Sequence, residues 1–228
     1  MIKAHKTYGK NEYLESVKRA GDFIILSRFP KPQAGWAQQY TYDLQPGWAR
    51  KFEPPGICSA VTAENIRMLI DIYLYTKDDR YLKPIPAAVE WLENSKIKEN
   101  LWARIYEKGT NRPIYGNHDR RVYYSYSQAR TGYSYQGEFG VRGAIDYYNR
   151  LKELGAEGLA KADSPKPLLP QDRDAEIDRM VKPIAAAIAS LDDKGCWINK
   201  QDNMIHTGDF IRYMNLFCDY LDLAENKK

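Results

Sequence analysis

The chain has 228 residues, enough for one sizeable core, and its hydrophobic share of 43% excludes wholesale disorder. A formal net charge of +4, from 34 basic and 30 acidic residues without a long basic run, gives no indication of nucleic acid as a partner. No stretch approaches the roughly 18 consecutive apolar residues of a membrane helix, so we expect no membrane partner, and the N-terminal residues lack the apolar core of a signal peptide.

Apolar residues recur at helical spacing in six segments, which we predict to be α-helices. In the first, Leu14, Val17 and Ile24 lie on one face, and Pro84 and Pro86 suit the first turn of the third. In chain order the predicted helices cover residues 11–27, 64–76, 86–95, 141–154, 174–191 and 208–223. A short strand is predicted over residues 101–106.

A short internal repeat relates the first and third predicted helices. Six residues from Tyr13 to Ile24 match six residues from Tyr81 to Leu92 at a constant offset of 68. A helical hairpin that cannot bury its apolar face alone stacks on further copies. The repeat therefore favours stacked hairpins, either in an open solenoid or in a closed α/α toroid.

Two segments between the helices, 30–55 and 97–140, are long and rich in Trp, Tyr and Arg, and this aromatic content argues against disorder. Residues 155–176 hold Gly155 and three prolines among many charges, which indicates a surface linker. We therefore predict a toroid core at 1–154, a linker at 155–176 and C-terminal helices at 177–228 that pack on the same domain.

Three parts of the two long segments place an arginine or paired amides beside aromatic residues: 35–40, 48–55 and 102–113. The C–H face of a sugar packs on an indole or phenol ring, while a guanidinium fork holds a carboxylate through two parallel hydrogen bonds. Amides such as Gln38 and Gln39 donate to and accept from hydroxyls. The pattern favours a carboxylated sugar as ligand.

The alternative for the same segments is structural, with Arg50–Glu53 and Arg104–Glu107 as ion pairs that hold the loops. Other chemistries find little support, because the three histidines belong to no metal or triad motif and no glycine-rich phosphate loop occurs. The three cysteines have no metal-ligand spacing, and we expect buried free thiols.

Several segments together resemble pectate lyases of the α/α-toroid polysaccharide lyase family 10, in order and over nearly the whole chain. These segments are Gly35–Tyr40, Trp48–Pro55, Ala103–Glu107, Thr110–Pro113, Thr207–Arg212 and Asp219–Leu221. The resemblance implies an all-α fold, an incomplete (α/α) toroid of helical hairpins with long, irregular, aromatic-rich loops. It also implies an acidic polysaccharide such as polygalacturonate or pectin as partner, and a secreted or periplasmic location. We further expect a monomer.

The implied reaction is calcium-dependent β-elimination, in which a base removes the proton next to the uronate carboxylate and the bond to the next sugar breaks. Calcium and arginines stabilise the developing charge. By resemblance Arg50 is the catalytic base, although a guanidinium keeps its proton up to about pH 12. It would lose that proton only through desolvation and neighbouring cations such as Lys51 and calcium. Otherwise Arg50 acts as a clamp, and another group or hydroxide is the base.

Arg104 matches a substrate-binding arginine of the family, and His118, before Asp119, stands where the family commonly has an arginine, which weakens one carboxylate contact. No metal ligand is identified in the sequence. The residues expected to bind substrate are Trp36, Gln38, Gln39, Trp48, Lys51, Arg104, Tyr106, Arg112, His118 and Asp119.

The family's calcium-binding aspartate lies on a hairpin upstream of the first helix, and no such acidic motif occurs in this sequence. We therefore expect the chain to lack that hairpin and to cleave slowly or not at all. A non-catalytic acidic-polysaccharide-binding protein on the same fold is one alternative. The second alternative is a helical protein-interaction scaffold, which a large exposed apolar patch in place of a polar groove would support.

Overall fold

The computed structural model describes residues 1–163 and 169–225, and the chain divides into two units, Met1–Asp163 and Ser164–Lys228. The helices are α1 (Ile2–Tyr8), α2 (Asn11–Ser27), α3 (Ser59–Thr76), α4 (Ile85–Asn94), α5 (Val141–Asp163), α6 (Pro170–Ala189) and α7 (Thr207–Glu225). The strands are β1 (Trp36–Ala37), β2 (Ile57–Cys58), β3 (Lys96–Lys98), β4 (Leu101–Ala103), β5 (Ile105–Tyr106), β6 (Pro113–Gly116), β7 (Val122–Tyr123), β8 (Gln136–Gly137), β9 (Ile198–Asn199) and β10 (Met204–Ile205). No described helix is long and apolar enough to cross a membrane.

The first unit is mainly helical, with α3 in contact with α2, α4 and α5. All six predicted helices are present, and α1 is an additional one. The fold is nevertheless not all-α, because parts of the two long aromatic segments pair into small antiparallel sheets. Closure into a toroid stays a prediction.

Arg104 lies where two of these sheets meet. One sheet has the strand order β1-β2-β5-β6-β7 and another the order β3-β4-β8. The single strand predicted at 101–106 is therefore two strands, separated at Arg104. The backbone N–H of Arg104 donates to the carbonyl of Tyr135 at 2.7 Å, and the Arg104 carbonyl accepts from the Ser59 N–H at 3.0 Å.

The internal repeat continues beyond the helices as a shared tryptophan contact. The indole N–H of Trp36 donates to the carbonyl of Ile24 near the end of α2, at 2.7 Å. The indole N–H of Trp102 donates in the same way to Leu92 near the end of α4, at 2.7 Å. Ile24 and Leu92 are also equivalent residues of the sequence repeat, so the two copies agree in sequence and in bonding.

A tyrosine completes each copy. In the first copy the Tyr40 hydroxyl accepts from the Ala37 N–H and donates to the Ser27 carbonyl, both at 2.9 Å. In the second copy the Tyr106 hydroxyl accepts from the N–H of Ala103, next to Trp102, and donates to the carbonyl of Ser95, at the end of α4. Each helix end is thereby capped by a tryptophan and a tyrosine that follow it in the chain, which satisfies carbonyls that a helix leaves unpaired.

The second unit holds a partial third copy. Here the indole N–H of Trp197 donates to the carbonyl of Ala187, near the end of α6, at 2.8 Å. Ser190 follows Ala187 by three residues, as Ser27 follows Ile24 in the first copy. Within this unit α6 packs against α7. Among the described residues the tryptophan contact thus occurs three times, and two of these copies also have the tyrosine contacts.

The predicted linker at 155–176 is largely helical where it is described. Residues 155–163 belong to α5, which is kinked at Gly155 (φ 68°), and α6 already begins at Pro170; residues 164–168 lie outside the described part. The division into core, linker and C-terminal helices stays a prediction. The three cysteines are free, but only Cys58 is buried, so the expectation of buried thiols is wrong for Cys218, which is exposed on α7.

Candidate functional site

The centre of the candidate site is a buried carboxylate, Glu53, in the loop between β1 and β2. Its side chain is only 2% exposed. Arg50 binds it side-on, with Nε donating to Oε2 at 2.8 Å and Nη2 donating to Oε1 at 2.5 Å. Gln38 Nε2 and the Tyr133 hydroxyl both donate to Oε1 at 2.7 Å. Protein donors therefore occupy both oxygens of this carboxylate.

These contacts set the protonation states of the group. The hydrogen bond from Arg50, with further ones from Tyr133 and Gln38, lowers the pKa of Glu53 to about 2 against the effect of burial. The same bond raises the pKa of the Arg50 guanidinium above its ordinary value. Burial and Glu53 raise the pKa of Tyr133 to about 12. Arg50 is therefore stabilised as a cation, the opposite of what a base requires.

Arg50 shares its aromatic neighbours with two further arginines. Its side chain is 62% exposed, and its Cζ lies 4.8 Å from the Phe52 ring centroid and 5.3 Å from that of Tyr133. The Cζ of Arg104 lies 5.1 Å from the same Tyr133 centroid. The Cζ of Arg130 lies 4.0 Å from the Phe52 centroid. We call these five residues, Arg50, Phe52, Arg104, Arg130 and Tyr133, the arginine–aromatic cluster.

Contacts beneath the cluster hold its segments in place on β6. The buried Tyr135 directs its hydroxyl to the carbonyl oxygens of Phe52 and Gly116. The Arg130 N–H donates to the Gly116 carbonyl at 2.9 Å. A Cβ at Gly116 would lie 2.4 Å from the Phe52 carbonyl oxygen, so this close approach requires glycine.

The cluster carries an excess of positive charge. Arg104 Nε donates to the neutral Ser134 carbonyl at 2.7 Å. Among the described residues neither Arg104 nor Arg130 meets a carboxylate, so Glu53 is the one anion beside three guanidinium groups. Like charges held together on aromatic faces raise the local positive potential, which attracts an anionic ligand.

Two residues predicted to bind substrate are core residues instead. Trp36 is 0% and Tyr106 1% exposed, and both donate to carbonyls in the repeated helix-capping pattern. Neither ring has a face left for a sugar. The sequence pattern could not separate them from groove residues, because an aromatic ring gains more from full burial than from a wet groove.

Of the other predicted residues, Gln38, Arg50 and Arg104 come together around Tyr133, as described above. Trp48 is half-buried, with Arg120 Cζ 5.8 Å from its ring centroid. The side chains of Gln39 and Lys51 are exposed.

His118 borders the cluster, since its exposed ring lies edge-on to Phe52 with 5.8 Å between the centroids. Asp119 instead belongs to the neighbouring turn, where it accepts a hydrogen bond from the Tyr123 hydroxyl that lowers the pKa of Asp119. The Arg112 guanidinium stacks on Tyr124, with 4.2 Å from Cζ to the ring centroid.

Only one of the two loop ion pairs considered from the sequence forms. Arg50 and Glu53 are paired. Glu107 accepts instead from the hydroxyls of Thr110 and Tyr124. Arg104 therefore does not pair with Glu107 and lies beside Tyr133 in the arginine–aromatic cluster.

The described part of the chain has no set of side chains suited to bind calcium. No group of three or more His, Cys, Asp or Glu side chains there is arranged to hold a metal ion. Calcium takes six to eight oxygen ligands, whereas both oxygens of Glu53 accept from protein donors. The described residues do not fit the calcium that the resemblance implies.

A search of solved structures finds similarity to a family 10 polysaccharide lyase from Cellvibrio cellulosa, at 19% sequence identity and a TM-score of 0.51. The match covers 64% of this chain and 52% of the other. The chain shares the fold of that lyase. A mutant of the Cellvibrio enzyme in complex with trigalacturonic acid is similar at 20% identity, with a TM-score of 0.49 and the same coverage.

The chain thus spans about half the length of these solved structures, 52% of each. No protein-family model matches the sequence, and no curated protein does either.

Three members of the site were missed from the sequence: Phe52, Arg130 and Tyr133. Phe52 stands inside a motif already considered, two residues after Arg50, so its place in the loop was the available signal. Arg130 and Tyr133 lie in the segment 130–135, which holds one arginine, one glycine and two tyrosines but has no motif of its own. Only the fold shows that this segment meets the Arg50 loop.

Proposed function

We propose that the arginine–aromatic cluster binds an acidic polysaccharide of the polygalacturonate type, and that the chain acts on it as a polysaccharide lyase. The observation that carries the proposal is the pair of guanidinium groups, Arg50 and Arg104, that share the Tyr133 ring. A guanidinium fork suits a carboxylate and a ring face suits a sugar. The fold shared with a polysaccharide lyase agrees with this assignment.

In the proposed reaction Arg50 and Arg104 hold the uronate carboxylate and stabilise the negative charge that develops there when the neighbouring proton passes to hydroxide or another basic group. The bond to the next sugar then breaks, and its oxygen leaves with that sugar. This stabilisation is the larger electrostatic task in β-elimination. Because Glu53 raises the pKa of Arg50, we assign Arg50 the role of clamp for as long as this pair is intact. Binding by these residues needs no calcium ligand from the described chain.

Binding without cleavage is the second candidate function. The observation that favours it is the same Arg50–Glu53 pair, which opposes loss of the Arg50 proton. An acidic-polysaccharide-binding protein needs only the charged, exposed guanidinium groups. The two functions share the ligand and differ in whether an unsaturated product appears. The scaffold alternative predicts no glycan binding at all.

The test compares polygalacturonate, fully methyl-esterified pectin and a neutral glucan by titration calorimetry, with the ultraviolet absorbance of unsaturated products followed in parallel. We expect polygalacturonate to bind best, and its affinity to weaken with salt, because exposed charges are screened within about 8–10 Å. Arg104→Ala should reduce binding, whereas Arg19→Ala, on the surface of α2, should not. Equal binding of the three polymers would contradict the proposal.

A further inference from the structure

Arg130 is the member of the cluster to which neither the sequence motifs nor the proposed reaction gives a role. Its guanidinium stacks on Phe52, with Cζ 4.0 Å from the ring centroid, on the ring that also carries Arg50 at 4.8 Å. Its backbone is held by the hydrogen bond to Gly116. The side chain is half-buried, so its position is set by packing as well as by charge.

The two arginines on Phe52 differ in their partners. Arg50 uses Nε and Nη2 for Glu53. Within the described residues the Arg130 guanidinium has no hydrogen bond and no ion pair, only the ring contact. A ring contact does not neutralise a cation, and a guanidinium over an aromatic face keeps the N–H groups at its own edge for a ligand. Arg130 is therefore a cation without a counter-ion beside a site already rich in cations.

A ligand with one carboxylate would satisfy the Arg50–Arg104 pair on Tyr133 and leave Arg130 uncompensated. A ligand with a second carboxylate on a neighbouring sugar would neutralise Arg130 as well. We infer that Arg130 is a ligand-binding residue that makes this site prefer ligands with two or more carboxylates over ligands with one. The inference rests on the proposed acidic-polysaccharide function and adds the residue that distinguishes an acidic chain from an acidic monomer.

The experiment measures the affinity of galacturonic acid, digalacturonate and trigalacturonate for the full chain and for Arg130→Ala, by calorimetry or, for weak ligands, by NMR chemical-shift titration. We expect Arg130→Ala to lower the affinity for the di- and trisaccharide by about tenfold, the usual scale of one charged hydrogen bond. The affinity for the monosaccharide should change by less than about twofold. Arg19→Ala serves as the matched control, and thermal unfolding checks that each variant is folded.

Arg130→Lys keeps the charge but loses the planar fork, so it should recover part of the affinity for the disaccharide. It also replaces Arg130→Ala as the test if that variant does not fold. If Arg130→Ala, or Arg130→Lys in its place, binds all three ligands like the unchanged protein, the inference fails while the proposed function stands. Equal losses for the monosaccharide and the trisaccharide would also overturn it, because Arg130 would then act on the site as a whole. If the unchanged protein binds none of the ligands, the proposed function itself fails.

Discussion

Three Trp-Ala dipeptides look alike in the sequence, yet they belong to two kinds of region. Trp36-Ala37 and Trp102-Ala103 form buried strands whose indoles bond to the ends of α2 and α4. Trp48-Ala49 lies in the loop that leads to Arg50 and stays half-buried. The two kinds of region differ in what the tryptophan side chain contacts. The indoles of Trp36 and Trp102 reach carbonyls near the ends of α2 and α4, which need donors. Trp48 instead lies beside Arg120.

The largest expected effect comes from Trp102→Ala in the buried region. The indole is 0% exposed and donates to Leu92, so its removal leaves a cavity and an unpaired carbonyl. We expect a loss of about 3–5 kcal/mol in the free energy of unfolding, measured with urea. Equal losses for Trp102→Ala and Trp48→Ala would remove the distinction between the two regions.

Gly116→Ala should have the next largest effect, because it acts on the contact that supports the cluster. The added Cβ would meet the Phe52 carbonyl at 2.4 Å. We expect a loss of about 1–3 kcal/mol in the free energy of unfolding, together with weaker polygalacturonate binding, because Phe52 must shift. The control is Gly208→Ala, where a Cβ meets nothing within 4 Å; a similar loss there would contradict the argument.

Glu53→Gln tests the charged centre of the site through its pH dependence. The pKa of Glu53 is about 2 in the folded protein, below its ordinary value of 4.5. A lowered pKa means that the carboxylate stabilises the fold above about pH 4.5 and loses this contribution as the pH falls towards 2. Near neutral pH we expect Glu53→Gln to reduce the free energy of unfolding by about 1–3 kcal/mol.

Urea unfolding between pH 2 and 7 should show a weaker acid dependence for Glu53→Gln than for the unchanged protein. Glu15→Gln is the matched control, since its exposed ion pair with Lys18 contributes little. An unchanged acid dependence in Glu53→Gln would show that the carboxylate does not hold the cluster.

The smallest expected effect on stability is that of Trp48→Ala. Its indole is half-buried and carries Arg120 on one face, so we expect a loss of about 1 kcal/mol or less. Polygalacturonate binding should fall by more than stability does if the ring contacts the glycan. A variant that binds as well as the unchanged protein would remove Trp48 from the site.

The helices were the most predictable part of the fold. Residues 11–27 are predicted and observed as α2 with the same bounds, because a single apolar face decides that helix. The start of α3 at Ser59 was missed, since Cys58 before it belongs to a strand and gives no capping signal. The strands were mostly missed, because two- and three-residue strands show no alternation of apolar and polar residues.

The candidate site was predicted only in part, and the physical reason is the same for each residue. The sequence by itself determined which segments carry arginines and aromatic rings, since these are local properties, and it therefore named Arg50 and Arg104 as candidates. Tertiary structure alone decided that Tyr106 is core, that Arg104 turns to Tyr133 instead of Glu107, and that Arg130 shares Phe52 with Arg50. Burial and charge pairing depend on neighbours that are distant along the chain, and only the packing of β6 with the segments around it brings those neighbours together.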